Sequence, residues 1–343
     1  MKILFITRKV DKDDGLAGFT YYWIKKMAGQ VSQLAVICLE KGNTFGLPEN
    51  VNIHSLGKEK GKNRLREFFV FQKLAWQLVP KVDGIFSHQN PEYGILISPY
   101  AKIFHKKLIA WYAHGAVSFK VRLLNMLVDK IVTSTEAGFK LNSKKKIVLH
   151  QGIDGDIFVC KKRPAHRELR LLSVSRISPV KNIDKMIVLA AELKSRGQEV
   201  VLKIAGQASL PQDHQCLDSL KQLVRERNLS SQVEFLGSVP NYQTPFLYEW
   251  ADVFLNFSQT ASLDKTILEA MSCGSLVFSS NESAIKILNT LEPQMAVNNF
   301  DHLSADILSL VQKDNEALRQ RIHQYVVDNH ELGDLFKEVL KLF

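Results

Sequence analysis

Short apolar runs alternate along the chain with longer stretches whose apolar residues recur every three or four positions. In the first half the runs are KILFIT (2–7), LAVICL (34–39), GIFSH (84–88), KLIAWYA (107–113), KIVTST (130–135) and KIVLHQ (146–151). In the second they are LRLLSVS (169–175), VVLKIAG (200–206), VEFLG (233–237), VFLNFS (253–258) and LVFSS (276–280). Near-continuous apolar runs bounded by turn residues predict parallel strands covered on both faces. The intervening stretches read as helices. DKMIVLAAELKSRG (184–197), for example, carries a helical stripe and stops at Gly197. Strand–helix alternation on this scale predicts an α/β fold with doubly wound sheets.

The alternation restarts once. HQGIDGDIFVCKKRPAHRE (150–168) is rich in Gly and charge and precedes a new strand, so a linker is placed there. The predicted organisation is a first Rossmann-like domain over 1–155, a second over 156–325, and a C-terminal helix over 326–343 that packs back on the first.

Composition adds a bias between the halves. Residues 1–160 hold 24 Lys/Arg and 13 Asp/Glu, a net +11, whereas residues 161–343 hold 21 and 22, a net −1. The excess predicts an anionic partner for the first half, against the plainer reading of a soluble basic surface. Residues 58–79, KEKGKNRLREFFVFQKLAWQLV, join basic residues to Phe68, Phe69, Phe71 and Trp76. They read either as a helix lying on an anionic membrane or as one with its aromatics in the core. Four scattered cysteines (38, 160, 216, 273) show neither zinc nor redox spacing. No run of about 18 apolar residues occurs, and the N-terminus lacks the apolar length of a signal peptide. The expected location is cytoplasmic, peripheral on the inner face of the plasma membrane. No nucleic-acid motif accompanies the charge, so nucleic acid is not expected as a partner.

Two segments carry candidate chemistry. SVSRISPVKNID (173–184) runs from a strand end into a helix, which puts Arg176 and Lys181 where an open α/β sheet binds ligands. Two cations beside a helix N-terminus can hold a diphosphate; the plain alternative is two solvated charges. NFSQTASLDKTILEAMSCGSLVFSS (256–280) reads strand, turn, helix, strand. Ser262 and Asp264 are predicted N-caps, and amides from Leu263, Asp264, Lys265 and Thr266 form an anion site. Glu269, a turn inside the helix, can accept hydrogen bonds from ribose hydroxyls or serve only the helix dipole. In the first half, Gly15 and Gly18 precede a helix in DGLAGFTYYWIKKMA, and His114 follows a strand in WYAHG.

These motifs, with VEFLGSVPNYQTPFLYEWADVFLNFS (233–258) between them, resemble glycosyltransferase family 4, which has the GT-B fold. The resemblance is close over 165–285; the first half shows the expected order of MKILFIT, DGLAG, WYAHG, IVTST and HQGID. It implies two Rossmann-like domains facing a central cleft. It also implies retaining transfer of a sugar from a nucleoside-diphosphate sugar to a hydroxyl of a glycan or lipid-linked acceptor, with neither metal nor resident cofactor. Arg176 and Lys181 then hold the donor diphosphate, Glu269 the ribose and His114 the sugar, and the Gly15–Gly18 loop faces phosphate and acceptor. The family often has a second Glu eight residues before the first, and here that position is Ala261. This departure supports one alternative, an inactive sugar-nucleotide-binding scaffold; a second alternative, a nucleotide-sugar epimerase, keeps the fold and changes the chemistry. Asp264 or Lys265 is the candidate to replace the missing contact.

Overall fold

The structure is a computed structural model, and it describes the chain except residues 62, 164, 165, 261 and 314. It comprises two compact units. Unit 1 is Met1–Asp154 with Pro240–Tyr242 and Glu331–Phe343; unit 2 is Gly155–Val239 with Gln243–His330.

Unit 1 holds a seven-stranded sheet. Its strands are β1 (Lys2–Val10), β2 (Gln33–Lys41), β3 (Val51–Ser55), β4 (Gly84–His88), β5 (Lys107–Trp111), β6 (Lys130–Thr133) and β7 (Lys146–Val148), in the order β3-β2-β1-β4-β5-β6-β7. Every pairing is parallel. Alternate residues of each strand feed opposite faces. Leu4 and Ile6 pack under helices Arg64–Leu78, Pro91–Ile103 and Phe119–Leu127. Ile3 and Phe5 pack under helices Gly18–Ala28 and Leu332–Leu340. Two-sided burial is what makes the central strands read as unbroken apolar runs. The periodicity missed β3. It is an edge strand, VNIHS, with its residues half-buried or exposed, so it carries little apolar signal.

The C-terminal residues of unit 1 begin at Glu331. Leu332, Leu335, Phe336 and Val339 enter the core beside Trp23, and Lys26 pairs with both Asp154 (3.2 Å) and Glu331 (3.3 Å). The preceding helix, Glu316–His330, stays with unit 2, where the His323 ring bonds the Ser272 carbonyl (2.6 Å).

Unit 2 holds five parallel strands, β8 (Leu169–Val174), β9 (Val200–Ala205), β10 (Val233–Gly237), β11 (Val253–Asn256) and β12 (Leu276–Ser279). Their order is β10-β9-β8-β11-β12. The order reverses between β8 and β11. Such a switch point leaves a crevice at the carboxyl ends of the two strands, because their connections leave toward opposite faces.

Candidate functional site

Both predicted chemical segments of unit 2 emerge at that switch point. β8 ends at Val174 and leads through Ser175–Ser178 and a turn, Pro179–Lys181, into helix Ile183–Ser195. β11 ends at Asn256 and leads into helix Lys265–Ser272.

Hydrogen bonds and an ion pair tie the two connections together. The Gln259 amide donates to the Val180 carbonyl (3.0 Å). Asn182, in left-handed backbone at φ 49°, donates its side-chain amide to the Phe257 carbonyl (2.8 Å). Lys181 Nζ lies 2.6 Å from Asp264 Oδ2, in a pair whose side chains are only 12% and 16% exposed. The same carboxylate accepts from Asn256 Nδ2 (3.0 Å) and Thr260 Oγ1 (3.2 Å). Burial pushes the Asp264 pKa up, but the Lys181 ammonium and the surrounding donors outweigh it, so the carboxyl is held below its usual range.

This geometry changes one expectation. Asp264 stands at the N-cap position of helix Lys265–Ser272, yet its side chain does not cap the helix. It is turned to Lys181 instead. Ser262 is not the cap either; its carbonyl accepts from Asn281 Nδ2 (3.0 Å). The helix that opens at Lys265 therefore receives no cap from the Asp264 side chain. The Leu263 side chain is buried, so only its backbone is available for an anion.

Arg176 is exposed, and its guanidinium makes no hydrogen bond or ion pair among the described residues. Its loop is fixed from behind by Gly206, at φ +148°, where an added Cβ would fall 1.7 Å from the Ser175 carbonyl oxygen. Glu269 is 3% exposed and accepts from the Tyr248 hydroxyl (3.0 Å). Burial and the adjacent Glu269 charge raise the Tyr248 pKa, keeping it a neutral donor. The structure thus joins Lys181 directly to Asp264, places Arg176 on the same loop as Lys181, and sets Glu269 deeper in the following helix. Ala261 lies outside the described residues.

The site is buttressed by residues the motif reading did not single out. Asn281, fully buried, caps helix Glu282–Leu291 through Oδ1 (Ala284 amide, 3.1 Å) and donates through Nδ2 to the carbonyls of Thr260 (2.7 Å) and Ser262. An Asn between a strand and a helix, as in SSNES, is a readable cap signal. Arg163 donates to the carbonyls of Tyr248 (3.0 Å), Ala251 (3.0 Å) and Gly274 (3.0 Å), fastening the far end of helix Lys265–Ser272. No local pattern announces that role.

The candidate residues of unit 1 lie at the carboxyl edge of its own sheet. After β1, Asp14 Oδ1 accepts from the amides of Leu16 (2.7 Å) and Ala17 (2.7 Å), and Oδ2 pairs with Lys9 (2.6 Å). The anion-binding amides expected of this Gly15–Gly18 loop are thus engaged by the protein's own carboxylate. Gly15 is exposed. Gly18 is buried, and an added Cβ would come within 3.0 Å of the Asn241 Cβ. His114 follows β5, exposed, with its ring edge-on to Tyr112 at 5.5 Å.

Residues 158–326, nearly all of unit 2, match a family model. That family is the glycosyl transferases group 1. The chain is 32% identical over 110 residues to alpha-monoglucosyldiacylglycerol synthase of Streptococcus pneumoniae, which covers 32% of this chain and 24% of that protein. It is 34% identical over 99 residues to O-antigen chain mannosyltransferase B of Escherichia coli, covering 29% and 26%. The matched segment therefore spans about a quarter of each relative's length. Among solved structures, Anabaena HepE in complex with UDP-glucose superposes with a TM-score of 0.76 over 100% of both chains, at 16% identity. That likeness shows the fold class, GT-B, and each unit carries its own parallel Rossmann-like sheet.

Proposed function

We propose that this chain is a retaining glycosyltransferase that moves a sugar from a nucleoside-diphosphate sugar to a hydroxyl of a glycan or lipid-linked acceptor. The observation that carries the reading is the Lys181–Asp264 pair. It joins two motif-bearing loops at the switch point of the very unit that matches group 1 glycosyl transferases.

An acceptor oxygen replaces the phosphate oxygen at the anomeric carbon, and the acceptor proton ends on the departing diphosphate. Negative charge on that diphosphate grows as the bond breaks, so groups that meet it there stabilise the transition state more than the bound donor. Arg176 supplies an uncompensated cation. Lys181 has three N–H donors; Asp264 and Ser258 (3.4 Å) account for two, which leaves one for a phosphate oxygen. The amides of Lys265 and Thr266 add the positive end of a helix. Glu269, which accepts from the Tyr248 hydroxyl, is assigned to the ribose hydroxyls. No metal or resident cofactor enters this scheme.

Exposure makes Arg176→Ala the clean test. An exposed, unpartnered side chain contributes within about 0.5 kcal/mol to stability, whereas removing Lys181 strands a half-buried carboxylate. Arg176→Ala is expected to lower turnover or donor affinity at least tenfold, about 1.4 kcal/mol, at unchanged melting temperature. Wild-type donor kinetics in that variant overturns the assignment. His114 is assigned to the donor sugar. Being exposed, its replacement by Ala is expected to reduce turnover by roughly tenfold or more without loss of fold, measured with the same donor.

A further inference from the structure

Helix Arg64–Leu78 of unit 1 buries Phe71 and Ala75 and leaves the opposite side to solvent. That side is apolar. Leu65 is 73% exposed, Phe68 44%, Phe69 67% and Trp76 59%. At 3.6 residues per turn these four positions fall within an arc of roughly 100°, so they form one stripe. Trp76 extends the stripe sideways: its ring lies 5.3 Å from that of Phe104, and Ile103 beside it is 57% exposed. Gln72, within the stripe, accepts from the Tyr100 hydroxyl, which locks the two helices together.

Scattered exposed apolar residues need no explanation, but a contiguous stripe of large ones does. Its surroundings say what covers it. Arg66 and Lys73 run along one edge, and Arg64 stands at the helix start. Lys102 precedes Ile103 and His105, Lys106 and Lys107 follow it, with no acid among residues 101–108. Over 58–81 the sequence holds seven Lys/Arg and two Glu. Cations bordering exposed Phe and Trp match an interface whose polar layer is anionic and whose interior is apolar.

We infer that this stripe docks unit 1 on an anionic lipid bilayer, with Phe68, Phe69 and Trp76 in the headgroup–acyl boundary and Arg66 and Lys73 on the headgroups. The docking is independent of catalysis. Its consequence, that the acceptor is presented at a membrane, rests on the transferase reading above.

The test is flotation of the full chain with phosphatidylcholine vesicles, with and without about one third phosphatidylglycerol. Two variants, Phe69→Ser/Trp76→Ser and Arg66→Glu/Lys73→Glu, accompany it, with wild type in high salt as a control. The expected result is recovery with the anionic vesicles at least tenfold above that with neutral ones. The charge reversal and high salt should abolish the preference, and the Phe69→Ser/Trp76→Ser variant should lose binding at an unchanged melting temperature. Equal recovery on both vesicles, or undiminished binding by either double variant, overturns the proposal. So does a wild-type dimer that floats with neither vesicle and that Phe69→Ser/Trp76→Ser converts to monomer, because the stripe is then a contact between copies. Vesicle binding reads no sugar transfer, so docking without transfer sinks only the activity, and transfer without docking sinks only this inference.

Discussion

At the scale of residues, the site turns on one ion pair. Asp264 could have capped its helix, the role its type and position predict. It faces Lys181 instead, because a half-buried ammonium costs more to leave unmatched than a helix amide. Since the folded state holds the Asp264 carboxyl below its ordinary pKa, the pair stabilises the fold fully above the usual carboxyl range. That contribution is lost as pH falls through the lowered value. Asp264→Asn is therefore expected to unfold more easily than wild type from about pH 5 to 8, with the gap closing below roughly pH 4. Urea midpoints across that range check the sign; a gap that widens on acidification contradicts it.

At the scale of elements, the same logic explains what the sequence could and could not reveal. All five strands of unit 2 and the loops at Arg176 and Lys181 were legible, since two-sided burial writes itself as apolar runs. Edge strand β3 was not, because exposure dilutes the pattern. Loop fastening was also illegible where it depends on long-range approach: Arg163 reaches carbonyls more than 80 positions away. Gly206 is the same kind of case. Its glycine ended a predicted strand unremarkably, yet the backbone there leaves no space for a methyl group. Gly206→Ala is expected to cost about 2 kcal/mol or more, through a strained φ and a clash with Ser175, and to weaken donor binding by displacing Arg176. Gly197→Ala is the control: it shares a positive φ (82°) but meets no atom within 4 Å, so it should cost about 1 kcal/mol or less and leave donor binding intact. Equal effects on melting and donor affinity from the two substitutions would refute a steric role for Gly206.

At the scale of the molecule, the charge asymmetry and the site separate cleanly. The positive excess sits with unit 1, where it borders an exposed apolar helix face; the near-neutral unit 2 places its few site cations individually at a sheet switch point. No helix among the described residues is long and apolar enough to cross a membrane. The pairing of Lys181 with Asp264 was hidden in the sequence because the two residues lie 83 positions apart, although each stood in a recognisable motif. A nucleoside diphosphate that binds only the folded chain raises its melting temperature in proportion to RT ln(1 + [L]/Kd). The deciding measurement is calorimetric titration of wild type and Arg176→Ala with whichever of UDP, GDP or ADP raises that temperature most. The account predicts saturable binding to wild type and at least tenfold weaker binding to Arg176→Ala, whose unliganded melting temperature is unchanged. Equal affinity in the two proteins would contradict a diphosphate held at this switch point.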